Sequence, residues 1–137
     1  MSSVFDSLAQ GFPLLVFYLV AVAAIFVVAL FLYIKLTPHD EFKLVSDGNM
    51  AAAIHLSALI IALSLPLAAC LIYKVSIFDV VMWGSLSVAL QLFLFRMTDL
   101  IFRGIPDLIE RDVAAPALVL ASIKIAGSII LAFAIAG

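Results

Sequence analysis

The sequence predicts an all-α membrane protein with four transmembrane helices arranged as two parallel two-helix repeats. Three observations predict it. The 137 residues are 67% apolar and 12% charged, with a mean hydropathy of +1.35, whereas soluble domains average about 45–50% apolar and about 25% charged. The charges are also bunched. Leu14 to Ile34, Met50 to Tyr73, Val80 to Phe95 and Val113 to Gly137 share one charged residue, Lys124. Finally, a polar turn leading into an alanine-rich apolar run occurs twice, at Asp47-Gly48-Asn49-Met50-Ala51-Ala52 and at Glu110-Arg111-Asp112-Val113-Ala114-Ala115.

Runs of about 20 apolar residues match a hydrocarbon core roughly 30 Å thick. Four of them use most of the chain, so residues 1–137 form one transmembrane domain with no room for a soluble one. Repeat one covers about 13–73 and repeat two about 77–137.

Residues 1–12 read as a short tail, with Phe5, Leu8 and Phe12 suited to the interface and Pro13 to a first helical turn. The N-terminus lacks Lys and Arg, and the first run is too long for a signal-peptide core, so it reads as a retained helix. Helix one spans 14–36. Tyr33 and Lys35 sit where an aromatic belt and a snorkelling cation belong. Thr37-Pro38 ends it. The polar loop from His39 to Gly48 has a composition suited to a short amphipathic turn along the headgroups.

Helix two spans 50–73. Ala51, Ala52 and Ala53 permit close helix approach, and Asn49 is a good N-cap type. Pro66 frees the carbonyl of Ala62 and predicts a kink. The chain turns through Lys74 to Phe78. Helix three spans 77–102. Arg96, Asp99 and Arg103 share one face at its end, which reads as an interfacial charge ladder or as an inward-facing Asp99. Gly104-Ile105-Pro106 breaks the helix. Asp112 is the N-cap expected for helix four, 113–136.

Loop charge orients the chain. Lys35, Lys43, Arg96, Arg103 and Arg111 lie at one end and Lys74 alone at the other. The positive-inside rule then places loops 37–49 and 103–112 in the cytoplasm and both termini outside. The balanced total, seven basic against nine acidic residues, excludes a nucleic-acid partner, which needs a basic patch.

The first polar turn carries a resemblance. Asp47-Gly48-Asn49-Met50-Ala51-Ala52-Ala53 followed by an apolar run resembles the motif of a bacterial inner-membrane family known as domain of unknown function 350. That family is built from duplicated two-helix units with a Gly-Asn-x-Ala-x-Ala signature. Asp47, Gly48, Asn49 and Ala51 carry the match. The second turn departs from it, with Arg111-Asp112 in place of Gly-Asn and Pro116 in place of an alanine. The resemblance implies a four-helix protein of the bacterial inner membrane and brings no activity with it.

Lys124 is the sharpest chemical feature. It sits near the middle of helix four, where a lysine costs roughly 2.5–3.5 kcal/mol on insertion scales and normally faces a partner. Gln91 lies at similar depth. Asp99 lies some eight residues nearer the loops, about 12 Å at the helical rise, a distance a lysine spans only in part. Lys124, Gln91, His55 and Asp99 form the candidate intramembrane site. One reading is an ion, proton or anion site; the other is a set of structural interhelical bonds. His55 and His39 lack metal-ligand spacing, so no metal and no cofactor is expected. Cys70 has no cysteine to pair with and reads as core packing. No nucleophile elbow, phosphate loop or zinc-protease motif occurs, so no enzyme is expected. Two functions remain. One is a non-catalytic membrane component whose cytoplasmic loops dock a protein partner. The alternative is an oligomeric ion or small-solute channel or transporter. Alanine faces at 51–53, 114–115 and 132–136 suit a homo-oligomer within the lipid bilayer.

Overall fold

A computed structural model describes residues 1–38, 40–73 and 76–137. His39, Lys74 and Val75 lie outside the described residues, and with them one of the loop positions and one of the charges that orient the chain. Six helices follow in order: α1 (Ser2–Leu36), α2 (Glu41–Ser46), α3 (Met50–Tyr73), α4 (Ile77–Ile101), α5 (Ile105–Glu110) and α6 (Ala114–Ala136). Four of them, α1, α3, α4 and α6, are long and apolar enough to cross a membrane. No strand occurs among the described residues.

α3 is the centre. Its apolar residues run all round, as a helix covered on several sides requires, and it packs against α6, α4 and α1. Ala51 and Ala52 are fully buried against Ala117, Leu120 and Ile109; without larger side chains the backbones approach closely. A second cluster joins Ala29 and Tyr33 of α1, Leu59 and Leu63 of α3, and Val88 and Phe95 of α4. At Gly84 an added Cβ would sit 3.3 Å from Leu67 Cδ2 and 3.5 Å from Ile25 Cδ1. Glycine there lets α4 close on its neighbours.

The ends of α1 and α4 and the starts of α3 and α6 gather at one end, with α2 and α5 folded across it. Both short helices close in the same way. Gly48 N–H donates to the Val45 carbonyl and Asn49 N–H to Leu44; Asp112 N–H donates to Ile109 and Val113 N–H to Leu108. This is the Schellman pattern, whose penultimate bond needs a left-handed residue. Gly48 supplies it at φ 90° and Asp112 at φ 60°. Gly48 and Asp112 are therefore the matching positions, one residue off from the sequence pairing of Asn49 with Asp112.

Several expectations change. Residues 2–12 are helical, not a tail, and Pro13 lies inside α1 instead of in its first turn. At 35 residues α1 is about 52 Å long, so its N-terminal turns extend past the other helices and stay exposed. α4 ends one residue earlier than expected and α6 begins one residue later. Helix replaces much of both polar loops. Asp40 caps α2 by accepting from Lys43 N–H at 3.3 Å, and Pro106 sits in the first turn of α5, where its missing donor is harmless.

Candidate functional site

Five side chains from five helices meet beneath α2. Tyr33 is near the end of α1, Glu41 begins α2, His55 lies in the second turn of α3, Asp99 is near the end of α4, and Lys124 is midway along α6. Helix geometry explains how Lys124 reaches Asp99. Side chains tilt toward their own helix N-terminus. Lys124 therefore leans toward the polar end, and Asp99, on a helix running the other way, leans inward to meet it. A depth taken from helical rise alone leaves out both tilts.

The ammonium of Lys124 has three hydrogens and three acceptors. Asp99 Oδ1 lies at 2.7 Å, the Tyr33 hydroxyl at 2.8 Å and His55 Nε2 at 3.0 Å. Since an ammonium only donates, Nε2 of His55 must accept. That places the imidazole proton on Nδ1, which donates to the Glu41 carboxylate at 3.0 and 3.1 Å. Tyr33 in turn donates to Asp99 Oδ2 at 3.4 Å. Lys124 Nζ also lies 5.0 Å from the Tyr33 ring centre and 5.5 Å from that of Phe95, where ring faces attract a cation. All of these polar side chains are buried: Glu41 is 1% exposed, His55 and Lys124 2%, Tyr33 3% and Asp99 8%. With the imidazole neutral, two carboxylates face one ammonium, and the cluster carries a formal charge of −1.

The cluster is not sealed. A cavity of about 190 Å³ reaches from the polar end to Tyr33, Glu41, His55 and Asp99, with Arg96, Arg103 and Asp107 also lining it. Among the described residues no three His, Cys, Asp or Glu side chains converge on a metal position.

A second polar layer lies deeper. Gln91 Nε2 donates to the Ala62 carbonyl at 2.9 Å. This is the carbonyl that Pro66 frees, so the glutamine repairs the break the proline makes. The same amide nitrogen bonds Ser128 Oγ. Gln91 and Ser128 are both 1% exposed.

The turns hold the upper layer in place. Asn49 Oδ1 accepts from Ala52 N–H at 2.8 Å, which makes it the expected N-cap of α3. Its amide donates to the carbonyls of Ile109 at 2.8 Å and Glu110 at 3.3 Å, across to the end of α5. Asp112 reciprocates in an unexpected direction. Its carboxylate accepts from Ala51 N–H at 3.0 Å and so caps α3, not α6; the residue before α6 is Val113, with no side-chain cap. Asp47 is the C-cap residue of α2, and Ala51 packs in the α3–α6 contact.

Of the four candidates, the structure brings His55, Asp99 and Lys124 together and sets Gln91 apart in its own layer. Asp99 is the counter-ion of Lys124 rather than the middle of an interfacial ladder. Arg96 is exposed, and Arg103 Nε donates to the Leu100 carbonyl at 3.2 Å. Sequence reasoning missed Tyr33, read as an aromatic belt, and Glu41, read as a loop charge. One signal was available for Glu41. A carboxylate at the first turn of a helix beside apolar Phe42, Leu44 and Val45 fits a short element folded onto the bundle.

The chain matches the sequence family described as Domain of Unknown Function (DUF350) over residues 7–135. It is 32% identical over 113 residues to the protein named UPF0719 inner membrane protein YjfL of Escherichia coli strain K12, covering 82% of this chain and 85% of that one. The protein of the same name in Escherichia coli O157:H7 matches equally, at 32% over 113 residues and with the same coverage of both chains. No solved structure matches the chain.

Proposed function

We propose that this chain, which belongs to the DUF350 family, is a multi-pass inner-membrane protein that moves protons through the Glu41–His55–Lys124–Asp99 cluster, as an ion or small-solute channel or transporter. The observation that carries the reading is the cluster itself. Four ionisable groups are buried in contact at 2.7–3.1 Å, carry a formal −1, and open through one cavity to the polar end. A buried net charge is costly, and one added proton neutralises it.

The site that takes this proton determines the response. On His55 the proton turns Nε2 from an acceptor into a donor. Nε2 then meets the Lys124 ammonium with two donors face to face at a 3.0 Å separation. The lysine must withdraw toward Asp99 and Tyr33 or pass a proton on. Proton occupancy and the position of Lys124 are thus coupled through one contact, which is the form of a two-state switch.

The end bearing α2 and α5 faces the cytoplasm in this reading, so protons enter the cavity from that side. Four spans enclose little room for a solute path, so the working unit is a homo-oligomer. Docking of a cytoplasmic protein on segments 37–49 and 103–112 is the second reading: Glu41, Asn49 and Ile109 are buried against the bundle, while Phe42, Lys43, Asp47, Arg103 and Asp107 are exposed.

Reconstitution in liposomes containing a pH-sensitive dye tests the proposal. Under an imposed proton gradient the protein should acidify the lumen faster than empty liposomes. Lys124→Met and His55→Leu should remove the difference while the protein remains folded by circular dichroism. Wild-type flux equal to that of empty liposomes overturns the reading.

A further inference from the structure

Two arginines are left over once the cluster is assembled. Arg96 stands in α4 five residues before its end at Ile101, about 8 Å deeper along the bundle at the helical rise. Arg103 follows in the turn after α4. Both line the cavity beneath α2 and α5, with Glu41, Asp99 and Asp107 also in its wall. Among the described residues Arg96 forms no hydrogen bond or ion pair, and Arg103 uses one N–H, from Nε, on the Leu100 carbonyl. A guanidinium carries five donors in a planar fork that matches a carboxylate or a phosphate. Nearly all of those donors are without a protein acceptor here.

The carboxylates of the same cavity do not take them. Asp99 is held by Lys124 and Tyr33, Glu41 by His55, and Asp107 forms no ion pair with either arginine. The charge is thus divided. The inner cluster, in which Glu41, Lys124 and Tyr33 face His55 and Asp99 faces Lys124, carries a formal −1. The mouth, with Arg96 and Arg103 against Asp107, carries +1, so the cavity as a whole is neutral. One proton added to the cluster leaves the cavity at +1, and a singly charged anion on the arginines restores neutrality. Either one alone leaves a charge uncompensated beside buried groups.

We propose that Arg96 and Arg103 form a site for a small, singly charged oxyanion, a phosphate-type or carboxylate group, whose binding is linked to that of the proton. The link to the proton rests on the proton-moving role proposed above; the site itself does not. A free solute and the phosphodiester of a lipid headgroup offer the same chemistry, since basic pockets at the cytoplasmic end of a bundle lie at headgroup level. The ordinary alternative, two arginines reaching into water, makes them no different from Arg111, which is exposed at the end of α5 and outside the cavity wall.

The chain has three arginines, Arg96, Arg103 and Arg111. Side-chain ¹⁵N-arginine labelling therefore gives three guanidinium groups to follow by nuclear magnetic resonance. Arg96→Gln and Arg103→Gln assign them, and Arg111 is the internal standard. The probe is dimethyl phosphate, a monoanion throughout the working pH range, added at constant ionic strength to protein in dodecyl maltoside micelles, which hold no phosphate. It should shift Arg96 and Arg103 together and saturably and leave Arg111 in place. Either Gln variant should weaken binding at the remaining arginine by about tenfold or more. Binding should be about tenfold tighter at about pH 5 than at about pH 8, the limits between which a histidine ordinarily changes charge, and His55→Leu should remove that difference. Absence of a saturable shift, or an equal shift at Arg111, overturns the site. Saturable binding that is the same at both pH values upholds the site and overturns its link to the proton. Phosphatidylglycerol bilayer discs separate the two sources, and both results uphold the site. With a lipid headgroup in place, the Arg96 and Arg103 signals start at their shifted positions and dimethyl phosphate does not move them. With a free solute as the ligand, they start unshifted and move as in micelles. Proton flux in liposomes keeps the two proposals separate. Flux without binding defeats the oxyanion site only, whereas binding without flux upholds the site and defeats the proton-moving role.

Discussion

Lys124 shows how a single charge in an apolar helix is made tolerable. Each of its three hydrogens has an acceptor, and two aromatic rings flank it. Removing one member of such a pair leaves the other buried and uncompensated, at about 3–5 kcal/mol, whereas replacing both by apolar groups is often neutral. Lys124→Met should therefore destabilise the protein by about 3–5 kcal/mol, and Lys124→Met combined with Asp99→Leu should recover most of the loss. Reversible unfolding in mixed micelles measures both. Equal stability of the single and double variants would show that the two charges do not depend on each other. Much of this site was legible at the residue scale. A lone lysine in a long apolar run demands a partner, and Asp99 on the preceding span is an acidic residue within partial reach. Tyr33 was not legible, because a tyrosine near a helix end is ordinary at a membrane surface, and Glu41 was legible only as a carboxylate beside the apolar Phe42, Leu44 and Val45. Only the fold of α2 over the bundle turns Glu41 inward.

The reciprocal turns decide that fold. Asn49 caps α3 and holds the end of α5, while Asp112 reaches from the end of α5 to cap α3. Asn49→Ala loses an N-cap worth about 1 kcal/mol and two further bonds worth about 0.5–1.5 kcal/mol each. The expected loss is roughly 2–4 kcal/mol in the same unfolding assay. Asp112 has a second duty, since it sits at φ 60°. Asn tolerates that conformation and retains an acceptor. Asp112→Asn should thus be near neutral, and Asp112→Ala should lose about 1–2 kcal/mol from the missing cap and the left-handed backbone together. Similar losses for the two variants would mean that the carboxylate charge, not the acceptor, holds the turn. The spanning elements were legible because some twenty apolar residues in a row leave few alternatives. α2 and α5 were not, because six residues carry too little periodicity to separate helix from turn. The direction of the Asp112 cap was equally hidden, since a cap from a distant segment leaves no local spacing to read.

The whole molecule places its polar chemistry at one end and bare apolar surface along the rest. α1 leaves most of its length uncovered, while α3 is enclosed by its neighbours. Such a molecule needs lipid or further copies of itself around α1, and it needs a defined orientation for the polar mouth beneath α2 and α5. The cavity of about 190 Å³ opens where Arg96 and Arg103 lie, at the end that also carries Lys35, Lys43 and Arg111. Translocation of basic loops is disfavoured, so this mouth should face the cytoplasm and the start of α1 the opposite side. Two exposed positions report on this, Ser3 near the start of α1 and Glu110 at the end of α5. In a Cys70→Ala background, Glu110→Cys should react with a membrane-impermeant thiol reagent in inverted vesicles and stay protected in intact cells whose outer membrane has been permeabilised. Ser3→Cys should do the opposite. The reverse pattern would open the cavity to the outside and make external, not cytoplasmic, protons the ones that reach His55. Labelling of both positions from one side would contradict a chain that starts at one end of the bundle and carries α5 at the other.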